Sequence, residues 1–101
     1  MANRAMIAGV GMVKFTTPSA GKTYDEVGPE AGRLALADAG LTFDEIQQAF
    51  VGYIYGDTCC GQRIVYQLGM TGIPIINVNN ACASGSTALA LARQAVELGA
   101  A

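Results

Sequence analysis

Histidine and tryptophan are both absent from this sequence, and charged residues make up only 14% of its 101 positions. Without histidine the chain lacks the commonest general base and the commonest metal-binding nitrogen. A zinc site would need thiolates or carboxylates, and no CxxC spacing exists to begin one, so no metal is expected. The cysteines are Cys59, Cys60 and Cys82. Their odd number, with two adjacent, argues against a disulfide framework. The basic residues Arg4, Lys14, Lys22, Arg33, Arg63 and Arg93 are scattered, which excludes the basic run of a nucleic-acid-binding protein. No apolar run approaches the roughly 20 residues of a membrane span. The first residues, from Met1 and Ala2 to Ile7, lack the long apolar stretch of a signal peptide. An intracellular, soluble protein is expected.

What is present is apolar. Hydrophobic residues form 51% of the chain. A solvated stand-alone domain carries about a quarter charged residues. Part of this surface is therefore expected to be buried, against a partner or against more polypeptide.

Periodicity divides the chain into alternating elements. Residues 6–15 form an apolar, glycine-bearing run of strand length. Residues 16–22, with Pro18 and Gly21, read as a loop. Thr23 and Glu26 fit a capping box, and a helix follows to Ala39, where Gly40 is a suitable stop. Pro29 either kinks that helix or begins it. Thr42 and Glu45 repeat the capping pattern and open a short turn through Gln48. Residues 49–55 read as a buried strand, 59–68 as a helix and 74–79 as a third strand with Pro74 at its tolerated first position. A long helix then runs from Cys82 to Leu98. Strand and helix alternate, which predicts an α/β layered fold with a mostly parallel sheet.

The last helix begins with small or apolar residues on every side. Only Arg93, Gln94 and Glu97 look solvated. Burial on all sides near its start is expected, in the middle of something larger than 101 residues. Cys82 stands where the third strand hands over to this helix. The free N–H groups and the dipole of a helix start stabilise a nearby thiolate. The Cys82 N–H can also serve an oxyanion. The alternative is a buried structural cysteine, since free Cys is among the most buried residue types.

Two stretches carry a resemblance. One runs from Val51 through Tyr53, Tyr55, Asp57 and Cys59-Cys60-Gly61 to Arg63. The other runs from Gly72 through Asn77-Val78-Asn79-Asn80-Ala81-Cys82-Ala83-Ser84-Gly85-Ser86-Thr87 to Leu89. Both are similar to thiolases of the sterol carrier protein 2 type, as are residues 9–15 and 35–40. The similarity is weakest from Thr16 to Glu30. The resemblance implies the N-terminal part of a thiolase-like fold: strand and helix repeats around a buried nucleophile helix. The chain would then be a partial N-terminal thiolase domain over residues 1–101. Its activity would be acyl transfer: cleavage of a 3-oxoacyl-CoA with coenzyme A, or the reverse condensation, in fatty acid or sterol side-chain metabolism. Cys82 matches the acyl-accepting nucleophile. The family's histidines and second cysteine have no counterpart here, so the 101 residues alone are expected to be inactive. The resemblance further implies coenzyme A and acyl-CoA as substrates and no permanently bound cofactor. It also implies a homodimer through the strand from Pro74 to Asn79. A bacterial source would place it in the cytoplasm and a eukaryotic one allows the peroxisome. Ala81 stands where related sequences often have Asn.

Two other functions fit the same resemblance. One is a thiolase-like scaffold for aldol-type cleavage with a partner. The other is a non-catalytic lipid- or acyl-CoA-binding module. Cys59 and Cys60 are expected to pack rather than bind metal. Tyr53 and Tyr55 are expected to pack on the sheet. Asn77, Asn79 and Asn80 either orient a substrate or pair loop backbone. Gly9-Val10-Gly11 lacks the third glycine of a dinucleotide site.

Overall fold

Residues 3–17, 19 and 21–101 are described by the structure, a computed structural model. Met1, Ala2, Pro18 and Ala20 lie outside the described residues, and with them the first residues of the leader reading and the proline of the 16–22 loop. The element order is α1 (Tyr24–Ala39), a 3-10 turn (Phe43–Glu45), β1 (Ala49–Gly52), α2 (Cys60–Val65), β2 (Ile75–Val78) and α3 (Ser84–Glu97).

Helix α1 begins at its capping box. The Glu26 carboxylate accepts the Thr23 N–H at 3.2 Å, closing one of the orphan donors of the first turn, while the Thr23 hydroxyl donates to the Asp25 carboxylate. The helix ends at Gly40, left-handed at φ 71°. Pro29 does not begin the helix; it is buried inside it. A proline cannot donate to the carbonyl four residues back, which here is Asp25. The side-chain amide of Gln67 donates to that carbonyl instead, at 2.8 Å. The backbone acceptor is therefore satisfied from α2's side of the molecule.

The strands pair in parallel, with Ala49 opposite Ile75 and Gly52 opposite Val78. Alternation then assigns the faces. Val51, Ile75 and Asn77 lie under α2, where a Cβ on Gly61 would come within 2.7 Å of Asn77 Oδ1 and 3.0 Å of Ile75. Gly52 lies under α3. Helix α1 stacks outside α2, Gly28 against Ile64 and Gly32 against Leu68. The parallel α/β arrangement read from the alternation is present.

Three expectations differ from what is observed. Residues 6–15 form no strand. A strand needs a hydrogen-bonding neighbour, and β1 and β2 pair only with each other. The segment lies along α1 instead: the Val10 N–H donates to the Asp38 carboxylate at 2.9 Å, and Gly9 sits against Ala35 and Ala39. Helix α3 starts at Ser84, two residues past Cys82. Ser84 and Ala88 are buried, while Gly85, Ser86, Leu89 and Ala90 are exposed. The sheet covers one side of α3, and the N-terminal segment lies along its later turns, where the Asn3 amide donates to the Val96 carbonyl at 3.2 Å. Strand β1 ends at Gly52, so Tyr55 leaves the sheet and is 91% exposed rather than packed.

Candidate active site

The chain leaves β2 at Val78 and reaches α3 through Asn79, Asn80, Ala81, Cys82 and Ala83. Ala81 is left-handed at φ 46°, a conformation that costs a residue with a Cβ about 1 kcal/mol. Several hydrogen bonds hold it there. Asn79 Oδ1 accepts the Ala81 N–H at 3.2 Å. The Ser84 hydroxyl accepts the Asn80 N–H at 2.8 Å and donates to the Ala81 carbonyl at 2.7 Å. The Tyr53 carbonyl, at the end of β1, lies 3.2 Å from the same hydroxyl. Ser84 is only 4% exposed. Its hydroxyl thus joins both sides of the turn to the neighbouring strand.

The joint needs a glycine on the strand. A Cβ on Gly52 would lie 2.5 Å from the Ser84 carbonyl oxygen and 2.8 Å from the Gly85 nitrogen. Real Cβ atoms do not approach backbone so closely, so any side chain at position 52 would push the start of α3 off the sheet.

Cys82 is a free, exposed thiol on this turn. It lies at the carboxyl end of the parallel strands, where open α/β sheets bind ligands. Among the described residues no acceptor serves the Cys82 or Ser86 N–H. Both remain able to bind an anion at the helix start. An apolar groove that does not include Cys82 runs along α3, between Ala5, Met6, Ile7 and Leu89, Ala92, Val96.

The three asparagines are used within the protein. Asn77 accepts the Gly61 N–H at 2.6 Å and donates to Gln62 at 2.8 Å, which seats α2 on the sheet. Asn80 donates to Thr87 at 3.0 Å, and Asn79 donates to the Ile54 carbonyl at 3.4 Å. Only Asn79 pairs loop backbone, through the Ala81 N–H and the Ile54 carbonyl; Asn77 bonds α2 and Asn80 a side chain of α3. Cys60 packs as expected, fully buried, its thiol donating to the Asp57 carbonyl at 2.9 Å. Cys59 does not pack: it is exposed and left-handed at φ 65°. Tyr24 buries its hydroxyl beside Cys60 without a hydrogen-bond partner among the described residues. Burial pushes this phenol up from its ordinary value, and the Cys60 thiol adds to the effect. No group of three or more His, Cys, Asp or Glu among the described residues is placed to hold a metal ion.

Ser84 went unnoticed in the sequence. The available signal was a serine two residues after a cysteine at a strand-to-helix handover. Serine there can bond back to the turn that precedes the helix.

Residues 5–101 match the family described as thiolase, N-terminal domain. The chain belongs to the thiolase family. Over 101 residues it is 56% identical to sterol carrier protein 2 of Gallus gallus, covering 98% of this chain and 18% of that one. It is 52% identical over 98 residues to non-specific lipid-transfer protein-like 2 of Caenorhabditis elegans, covering 95% of this chain and 24% of the relative. The chain thus spans about a fifth of the length of these relatives. The fold is shared more widely. The crystal structure of the priming β-ketosynthase from the R1128 polyketide biosynthetic pathway superposes with a TM-score of 0.70 at 20% identity, over 96% of this chain and 39% of that one. The thiolase fold is therefore the frame on which the Cys82 turn is displayed.

Proposed function

We propose that this chain supplies the nucleophile segment of a thiolase-type acyltransferase, with Cys82 as the acyl acceptor. The observation that carries the reading is the placement of Cys82: an exposed thiol on the β2–α3 turn, in a thiolase N-terminal domain. The Cys82 thiolate attacks the 3-keto carbon of a 3-oxoacyl-CoA. The bond between that carbon and C2 breaks, and the departing acetyl-CoA carbanion takes a proton. Coenzyme A thiolate then attacks the Cys82 thioester and carries the acyl group away, restoring the cysteine. The N–H of Cys82 is available to a developing oxyanion. This chain has no histidine to move the protons of these steps.

The test is the mass of the peptide that carries Cys82. The longest polypeptide containing this sequence is incubated with a 3-oxoacyl-CoA and digested. An acyl adduct on Cys82, absent from Cys59 and lost in Cys82→Ser, is expected. No adduct, or equal adducts on both exposed thiols, sinks the reading.

A second reading is favoured by the apolar groove along α3 and by two relatives named for carrying sterol or lipid. There the chain binds a lipid or acyl chain without reacting. Saturable binding of a fluorescent fatty acid, unchanged in Cys82→Ser and weakened in Leu89→Lys, would support it over the first. The free edge of β2 also suits pairing with a second copy, as the homodimer reading requires. Sedimentation of the longest polypeptide at micromolar concentration decides that point.

A further inference from the structure

We propose that Ser84 is the positioning residue for Cys82, acting through its hydroxyl and not through contact with any substrate. The proposal rests on the reading that Cys82 is the reactive group. Four observations converge on it. The hydroxyl is buried, in a helix start whose neighbours Gly85 and Ser86 are exposed. It takes the Asn80 N–H and gives its hydrogen to the Ala81 carbonyl, so it spans the one left-handed residue of the turn. The Tyr53 carbonyl at 3.2 Å offers that hydrogen a second acceptor on β1. Finally, Gly52 lets the strand approach the Ser84 backbone closely enough for these contacts.

The consequence follows from geometry. Cys82 lies between Ala81, held by the hydroxyl, and Ser84, which carries it. Removing the oxygen leaves the Asn80 N–H without this partner, and the left-handed turn is held only by Asn79 on the Ala81 N–H and by the Ser84 N–H on the Ala81 carbonyl. Ala81 then relaxes toward the right-handed or extended regions that an alanine prefers. Cys82, the next residue, swings with it. The fold need not fail, because α3 remains packed on the sheet through Ala88 and the residues that follow.

Three cysteines make the test internal to one molecule. Cys82 is the site, exposed Cys59 is a reference thiol, and buried Cys60 reports loss of the fold. The intact protein is treated with iodoacetamide and each cysteine is followed by peptide mass. In Ser84→Ala the ratio of Cys82 to Cys59 modification is expected to fall about tenfold, the size of a lost buried hydrogen bond. Cys60 should stay unmodified. Ser84→Thr keeps the hydroxyl and should restore the ratio to within about threefold. An unchanged ratio in Ser84→Ala overturns the proposal. So does Cys60 modification in step with Cys82, because the hydroxyl then holds the fold and not the turn. A threonine variant as slow as the alanine variant also overturns it. These readouts need no acyl substrate. A protein that is never acylated but loses its ratio in Ser84→Ala keeps this proposal and loses the thiolase reading. One that is acylated and keeps its ratio does the reverse.

Discussion

Both strands of the sheet hand over to a helix through a left-handed residue that is not glycine: Cys59 before α2, at φ 65°, and Ala81 before α3, at φ 46°. A cysteine follows each one. The outcomes are opposite. Cys60 is the first residue of α2, faces inward, and spends its thiol hydrogen on Asp57. Cys82 precedes α3 by two residues and stays exposed. The anchors also differ. Helix α2 is seated by a side chain of the sheet, Asn77, on the N–H of Gly61. Helix α3 is seated by its own Ser84, which reaches back to the turn and to β1. A helix start next to a cysteine is thus not enough to present a thiol. The two residues between turn and helix keep the sulfur outside.

The comparison can be broken most directly by chemistry. Iodoacetamide should modify Cys82 at least roughly a hundredfold faster than Cys60, which must wait for a local opening of the fold. Similar rates by peptide mass would erase the distinction. Next come the glycines under the two helices. Gly52→Ala forces a Cβ onto rigid backbone of α3 and should cost about 3 kcal/mol, measured by urea denaturation. Gly61→Ala meets mainly the movable amide of Asn77 and should cost nearer 2 kcal/mol. The reverse order would mean that α3, not α2, is the looser attachment. Asn77→Ala leaves the Gly61 N–H unpartnered and should lower stability by about 2 kcal/mol, with Cys82 reactivity unchanged. Replacing the left-handed residues with one that tolerates the conformation should do the opposite. Ala81→Asn and Cys59→Asn should each stabilise by up to about 1 kcal/mol in thermal melts. A smaller gain at Ala81 would show that its hydrogen bonds already offset the strain.

The smallest effect tests the α2 side through acid. The Thr23 hydroxyl, with help from Arg63 of α2, holds the Asp25 carboxyl below its ordinary value of 3.8. A carboxyl lowered in the fold favours the folded state above 3.8, and that contribution fades as pH falls below it. Melting temperatures in Thr23→Val should therefore fall less steeply than wild type between about pH 4 and about pH 2. Equal slopes would remove the hydroxyl from the account.

Much of the frame was legible in the residues. Thr23, Glu26 and Gly40 bounded α1 because capping is a local bargain between side chain and backbone. The 49–55 and 74–79 runs located both strands, since branched and aromatic clusters mark buried sheet. Residues 6–15 misled because apolar character signals burial, while a strand also needs a partner edge. Pro29 was ambiguous because its cure, Gln67, is remote in sequence. The handover at Cys82 was legible from spacing, but its clamp was not. Ser84 looks like one small residue among many until the fold brings Tyr53 and Gly52 beside it.

That remote cure at Pro29 has a consequence for how the molecule comes apart. Helix α2 has six residues, too few to persist alone, and α1 carries a proline that leaves one of its carbonyls dependent on a side chain 42 positions away. Each helix thus completes the other. They should exchange their amide hydrogens as one cooperative unit, opening together or not at all, while the half of α3 that faces outward exchanges on its own schedule.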